Sequence, residues 1–389
     1  MNRFTLRRAA AGTLLAVVAL TPTLANAGAT LPFGDGESLS VGLSMRSSFS
    51  STSNGSPDGQ SKSSNFSADD MRLLLSAKMN DTIGATINVG RFAGDKGVDL
   101  IDGFASFDFA PAFHIWAGRF LPPSDRANMN GPYYQLAFDY PGLVSNYYGI
   151  RAGRDDGVMA WGKVASDKVV YSIGTFQGRN HSAGVSNTSG NGGGNILFAG
   201  RLAVNLLNPE PAPAHLSGNT YYGSAGQILT VAAAGMSQAN GVGTNTTYAD
   251  YKVYNLDFLW ELPVAGGSAL DVSGAYYKYD YPVAAYAADV TLATSGGGSG
   301  NISPPGKAYM LEGGYYFGEK VGLGRFQPFA RYQKYDYDAG GTAKRSDFGV
   351  NYIIKGSDAK LSAFYIKDDE SGTPVPSSNT IKLALQLQF

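Results

Sequence analysis

The chain has 389 residues, including 51 glycines, 24 tyrosines and no cysteine; 43% are apolar and 16% charged, and the formal net charge is −1. Glycine at roughly 13%, against a usual share of about 7%, argues against a helical bundle, and few charges beside many apolar residues argue against an extended disordered chain. Near-neutrality excludes a strongly electropositive nucleic-acid binder, which leaves a large secreted all-β protein or an outer-membrane β-barrel.

The first element is a leader. Arg3, Arg7 and Arg8 form a basic n-region, Ala9 to Leu20 an apolar stretch too short to span a bilayer, and Ala25-Asn26-Ala27 an A-x-A cleavage site. Residues 1–27 therefore read as a secretory signal peptide and 28–389 as one domain; Arg7-Arg8 could suggest a twin-arginine signal, but its surroundings fit poorly. Removing the leader takes three arginines and leaves 27 Lys+Arg against 31 Asp+Glu, a formal charge of −4. A cysteine-free protein exported through an oxidising compartment has no disulfide framework, and a closed hydrogen-bonded ladder can supply the stability instead.

Beyond the leader, no segment offers the roughly 18 uncharged apolar residues of a membrane helix. Segments of period 2 recur instead. In the last, Ile381, Leu383, Leu385, Leu387 and Phe389 alternate with Lys382, Ala384, Gln386 and Gln388. Sixteen such segments are predicted, starting near Ser38, Asp70, Thr82, Val98, Ala112, Gly149, Lys168, Asn195, Gly226, Asp250, Ser268, Lys307, Arg325, Lys344, Ala359 and Asn379. Their links alternate long and short, as in an up-and-down barrel with both termini on the short-turn side. The Pro-rich run 208–226 breaks this rule, so either that turn is extended or the count is off by one hairpin.

A Lys or Arg at the bilayer midplane costs about 2–4 kcal/mol on the lipid face, so mid-strand charges should point inward. That rule sends Arg46, Arg72, Lys78, Lys163, Arg201, Arg331, Arg345, Lys360 and Lys382 inside, opposite outward sets such as Met71, Leu73, Leu75 and Phe348, Val350, Tyr352. The same parity turns Asp102, Asp257, Asp271, Glu312 and Asp347 inward. So many charges of both signs need water, and sixteen strands leave room for an aqueous channel. Aromatics at strand ends (Tyr147-Tyr148, Tyr221-Tyr222, Tyr276-Tyr277, Tyr315-Tyr316, Tyr335, Tyr337) read as an interface girdle, with a sugar-stacking track as the alternative. The terminal Phe389 resembles the C-terminal signature of outer-membrane barrels.

Two stretches, DLIDGFASFDFAPAFHIWAGRFLPP and RDDGVMAWGKVASDKVVYSIGTFQGRN, resemble the central region of the phosphate-selective porins O and P. The resemblance runs from about Asp69 to Gly178. It rests on a strand ending in Gly-Arg-Phe, the segment after it, and a Tyr-x-x-Gly-x-Phe-x-Gly strand following a tight turn. It implies a trimeric sixteen-stranded porin with an infolded loop between the fifth and sixth strands, here Leu121 to Tyr148. The family's arginine ladder and lysine cluster have no dense basic counterpart in this sequence. The inward tally above, nine basic to five acidic, allows a mild anion preference. Arg119, Asp125, Arg126 and Asp139 lie in or beside the expected constriction, either as a mixed-charge eyelet or as salt bridges that pin the loop.

An enzyme is disfavoured. His114, His181 and His215 begin no HExxH and lie near no G-x-S-x-G, and the absence of cysteine excludes thiolate chemistry. Asp155-Asp156 and Asp368-Asp369 read as solvated strand ends, and Gly192–Gly194 and Gly296–Gly298 as loop tips without a following GK[ST]. The expectation is thus a passive porin in a Gram-negative outer membrane for small hydrophilic solutes or ions, embedded in lipid and lipopolysaccharide. It would be a homotrimer without cofactor, metal or nucleic-acid partner. The competing readings are an adhesive barrel with a plugged lumen, its partner held by loops 51–67 or 281–304, and a barrel sheathing an electron-transfer partner.

Overall fold

The computed structural model describes residues 28–32, 34, 36–147, 153–179, 194–244, 246–294, 302–371 and 377–389. The leader, His181, Tyr148, Gly192, Gly193 and the tip Gly296–Gly298 lie outside the described residues.

Sixteen strands close into one antiparallel barrel: β2 (Ser38–Thr52), β3 (Ser63–Lys78), β4 (Ile83–Phe92), β5 (Asp99–Ala110), β6 (Phe113–Phe120), β7 (Asp155–Val164), β8 (Val169–Phe176), β9 (Leu197–Asn205), β10 (Ile228–Gly243), β11 (Tyr248–Val264), β12 (Ser268–Tyr279), β13 (Gly306–Tyr316), β14 (Arg325–Tyr337), β15 (Thr342–Lys355), β16 (Ala359–Ser371) and β17 (Ser378–Gln388). Each pairs with its sequence neighbour, and β17 closes the ring on β2, with Leu383 opposite Phe49 and Gln388 opposite Ser44. All sixteen predicted segments are present. The largest offsets are at β3, which starts seven residues before Asp70, and at β7, which starts six residues after Gly149. A short strand not expected from the sequence, β1 (Ala29–Pro32), pairs with Ser38–Val41 and takes the edge of β2 that β17 is too short to cover.

Short turns gather at one end of the barrel. At the β3–β4 turn the Asn80 side chain accepts the N–H groups of Thr82 and Ile83 at 2.8 Å each, a local Asx arrangement that frees no backbone donor to lipid. Two such turns touch: a Cβ on Gly318 would lie 1.9 Å from the Gly266 carbonyl oxygen, so only glycine fits. Long loops gather at the other end and include two helices, α1 (Arg126–Asn130) and α2 (Val283–Thr294). The exceptional 206–227 link is an extended turn, and the hairpin count stands.

Period 2 sorts the side chains as the lipid requires. Met71, Leu73, Phe348 and Val350 are exposed on the outer wall, as expected, together with Ile173, Leu256 and Leu311. Of the doublets singled out in sequence, Tyr276 and Tyr315 face outward beside Tyr309 and Phe317, and the rest of the aromatic girdles is built from other residues. Phe66, Tyr254, Tyr309 and Tyr365 are exposed towards the long-loop end, and Phe109, Phe113, Phe317 and Phe389 towards the short-turn end. Tyr147, Tyr277, Tyr316 and Tyr335 are instead buried, and Tyr221 and Tyr222 sit in the 206–227 link. The doublet Tyr276-Tyr277 explains the error. Adjacent residues of a strand face opposite ways, so Tyr276 meets Tyr309 outside at 5.3 Å while Tyr277 turns inward.

Candidate functional site

The link between β6 and β7 folds into the lumen. It begins Leu121-Pro122-Pro123, which cannot continue a ladder, and is then caught by α1, whose N-cap Asp125 accepts the Asn128 N–H at 3.1 Å. An irregular segment inside a barrel must have its backbone carbonyls satisfied. The wall supplies donors in a row: Arg201 to the Ser124 carbonyl (2.9 Å), Gln386 to Tyr133 (2.8 Å), Lys360 to Gln135 (3.1 Å), Asn351 to Leu136 (2.9 Å) and Arg331 to Asp139 (2.7 Å). Arg46 donates to the Phe138 carbonyl and lies over its ring.

Charges complete the anchorage. Arg201 forks onto Asp257 at 2.6 and 2.8 Å, and Asp257 also accepts the Arg126 N–H at 3.1 Å. The Arg126 side chain forks in turn onto Glu210 at 2.8 and 2.7 Å and reaches the Gly218 carbonyl at 2.8 Å. Glu210 and Gly218 belong to the 206–227 link, which enters the lumen from the short-turn end and meets α1 from below. Burial alone would raise the Glu210 carboxyl, but Arg126 holds it down to about 2. At the far end of the loop Asp139 meets Lys382 at 2.7 Å and Arg345 at 3.7 Å, and these cations outweigh burial to hold its carboxyl below the usual range. Lys163 donates to the Ala212 carbonyl at 2.9 Å. The lower link is thus tied to wall and loop alike.

Above this plane an aromatic core shuts one side of the lumen. Tyr279 stacks on Tyr335 at 5.7 Å, and Tyr251 stacks on Tyr281 at 5.8 Å just before α2. The Tyr279 hydroxyl donates to the Val144 carbonyl at 2.7 Å, so this core also grips the loop.

Open space remains against the opposite wall. A cavity of about 310 Å³ lies towards the long-loop end, lined by Arg46, Asp70, Arg72, Phe92 and Arg154 among others. A second of about 300 Å³ lies towards the short-turn end, lined by residues that include Asn88, Asp102, Phe104, Trp116 and Gln388. The two share Arg72, Gly131, Pro132 and Arg154, where wall and loop come closest. Arg72 forks onto Asp70 at 2.7 and 2.6 Å, and Arg154 meets Asp102 at 3.0 Å.

This closed antiparallel ring with an infolded loop, gap-lined by paired charges, is matched from residue 40 to residue 389 by the family model described as phosphate-selective porin O and P. The chain belongs to this family. Solved structures share the porin's fold at low identity. The anion-selective porin from Comamonas acidovorans matches at 11% identity and TM-score 0.59, over 91% of this chain and 100% of that one. Salmonella typhi OmpF in complex with daunomycin matches at 13% and 0.58, over 93% and 100%. The outer membrane channel DcaP of Acinetobacter baumannii matches at 10% and 0.54, over 91% and 98%. No curated protein matches the chain. The porin is an outer-membrane channel protein.

Of the nine residues singled out for the pore, Arg72 lines both cavities; Asp125, Arg126, Asp139, Lys163, Arg201 and Arg331 line neither and hold the infolded segments in place. Two readings need correction. Arg119 alternates with the inward Trp116, Gly118 and Phe120, so it points to the outer wall, where it forks onto Asp156 at 2.7 and 3.0 Å. Lys78 has inward parity but lies exposed at the short-turn end, beyond the cavities. Sequence reasoning missed Arg154, hidden beside an acidic pair that read as a solvated strand end, and Asp70 and Asn88, ordinary inward positions of β3 and β4. Because the Arg119–Asp156 pair is partly exposed and away from the cavities, Arg119→Gln is expected to change stability by no more than about 1 kcal/mol and to leave single-channel conductance unchanged.

Proposed function

We propose that solutes cross the porin through the gap between the infolded loop and the β2–β6 wall, with preference for anions. The observation that carries this reading is the junction of the two cavities. Its four shared residues include two arginines, Arg72 and Arg154, and no carboxylate. In a narrow, low-dielectric passage such charges focus the field and raise the local concentration of counter-ions. Asp70 lines the upper cavity and Asp102 the lower, and each holds one of these guanidinium groups in place. Away from the junction, Arg46 adds a cation that has no carboxylate within ion-pair distance among the described residues. The family's description as phosphate-selective and the fold shared with the Comamonas acidovorans anion-selective porin support the same sign. Export through the leader at 1–27, a homotrimer in the membrane and contact with lipopolysaccharide complete the reading; one neighbour of the same fold, OmpT of Vibrio cholerae, has a structure described as a trimer form, at 13% identity and TM-score 0.52.

Reversal potentials across a salt gradient in planar bilayers test the sign. Refolded protein is expected to give stepwise, anion-preferring conductance. Replacing both junction arginines, Arg72→Gln with Arg154→Gln, leaves Asp70 and Asp102 uncompensated and should lower the anion-to-cation permeability ratio by roughly tenfold. Absence of steps, or cation preference in the unaltered protein, would overturn the proposal.

A further inference from the structure

The cavity below the junction is built unlike a passage for inorganic ions. Phe104 and Trp116 stack with ring centroids 4.3 Å apart, and Phe120 meets each of them edge-on at 5.7 Å. His215, carried in by the 206–227 link, sets its ring against Trp116 at 5.1 Å and lines the same cavity. Its side chain is almost wholly buried, yet neither ring nitrogen has a hydrogen-bond partner among the described residues. A buried imidazole with both polar atoms unused is costly unless something else engages them. At the opposite end of the cavity stand Arg72 and Arg154.

We infer that this cavity is a binding subsite for aromatic carboxylates bearing a ring hydroxyl, the carboxylate on the two arginines, the ring against Trp116 and Phe104, and the hydroxyl on His215. The inference rests on the anion path proposed above and names the class of anion. A hydrated phosphate ion gains nothing from a wall of ring faces, whereas an aryl ring does, by offset or edge contact. Asp70 takes the Nε and Nη2 hydrogens on one edge of the Arg72 guanidinium and Asp102 the Arg154 Nε, so the ligand carboxylate takes the outer edges of the two groups in charge-assisted hydrogen bonds. Burial first, and then the charges of Arg201 and Lys163, hold His215 down to about 3, so at neutral pH it offers one N–H donor and one bare nitrogen, which suits a hydroxyl and repels a second carboxylate. About 300 Å³ is the size of a small one-ring ligand site.

Binding is read from current blockades in planar bilayers and from tryptophan fluorescence of the refolded protein in detergent, with 4-hydroxybenzoate, benzoate, acetate and inorganic phosphate as probes. Benzoate should dwell about tenfold longer than acetate, and 4-hydroxybenzoate about fivefold longer than benzoate. Trp116→Leu should erase the first difference. His215→Phe keeps a ring in place and should erase only the second, and it carries the test should Trp116→Leu fail to fold. Anion-preferring steps with benzoate no better than acetate, or with phosphate dwelling longest, overturn the subsite and leave the anion path standing. Absence of steps overturns both.

Discussion

Replacing Arg126 by methionine is expected to cost about 3–5 kcal/mol and to release both infolded segments together. Among the described residues Arg126 is the one side chain that joins α1 to the 206–227 link through a forked ion pair, with Glu210, while its own N–H is held by Asp257 of β11. Methionine fills much of the same space but leaves the Glu210 carboxylate buried with only neutral donors such as the Tyr221 hydroxyl, at 2.8 Å. A buried charge that loses its partner costs far more than the pair contributes when intact. The expected results are a lower urea midpoint and a larger, noisier single-channel conductance, because the loop no longer narrows the gap beside Arg72. Adding Glu210→Gln removes the stranded charge at nearly constant shape and should restore most of the midpoint. Unchanged conductance in Arg126→Met would show that the loop is held by its wall contacts alone.

That network also marks where sequence stops being sufficient. The barrel itself is legible because lipid imposes a rule on every second residue: a misplaced charge is so costly that Arg72, Arg201 and Arg331 had to alternate with apolar neighbours, and the wall follows from parity. Link lengths follow from the up-and-down topology. No comparable local rule governs the lumen. Arg126 meets Glu210 at a separation of 84 residues and Arg201 meets Asp257 at 56, so which carboxylate neutralises which cation depends on the closed ring. The Pro-rich 208–226 run looked irregular because it has no ladder to obey; its backbone is satisfied by Lys163 and Arg126, residues that sequence alone treats as channel lining. Arg119 failed for a simpler reason. Its proximity to the loop suggested the constriction, although its parity with Trp116 and Phe120 already pointed outward.

Asp125 gives the infolded loop a pH dependence. Its carboxyl is completely buried, accepts hydrogen bonds from Tyr277 (2.6 Å), Ser145 (3.0 Å) and the Asn128 N–H (3.1 Å), and has no cation paired with it among the described residues. Burial and the neighbouring Asp257 outweigh those hydrogen bonds and push it up to about 6 from an ordinary 3.8. The docked loop therefore favours the proton. Docking is strongest below about pH 3.8, weakens as the pH rises through 6, and levels off above that, at a cost of order 3 kcal/mol. Tyr277 and Asp257 face Asp125 from the wall, the latter forked by Arg201, and Tyr140 and Tyr147 face it from the same loop, where burial holds both loop phenols well above their ordinary range and so neutral between pH 4 and 7. Single-channel noise should rise between pH 4 and 7, and amide protection at 124–131, taken relative to the intrinsic base-catalysed exchange rate at each pH, should fall. Asp125→Asn cannot ionise, and its amide oxygen can still accept from Asn128, so it should hold the loop at one level across the range, somewhat looser than the protonated acid because the amide nitrogen cannot accept from Tyr277. A pH profile that survives this substitution would assign the effect to another group and leave Asp125 as a cap for α1 alone.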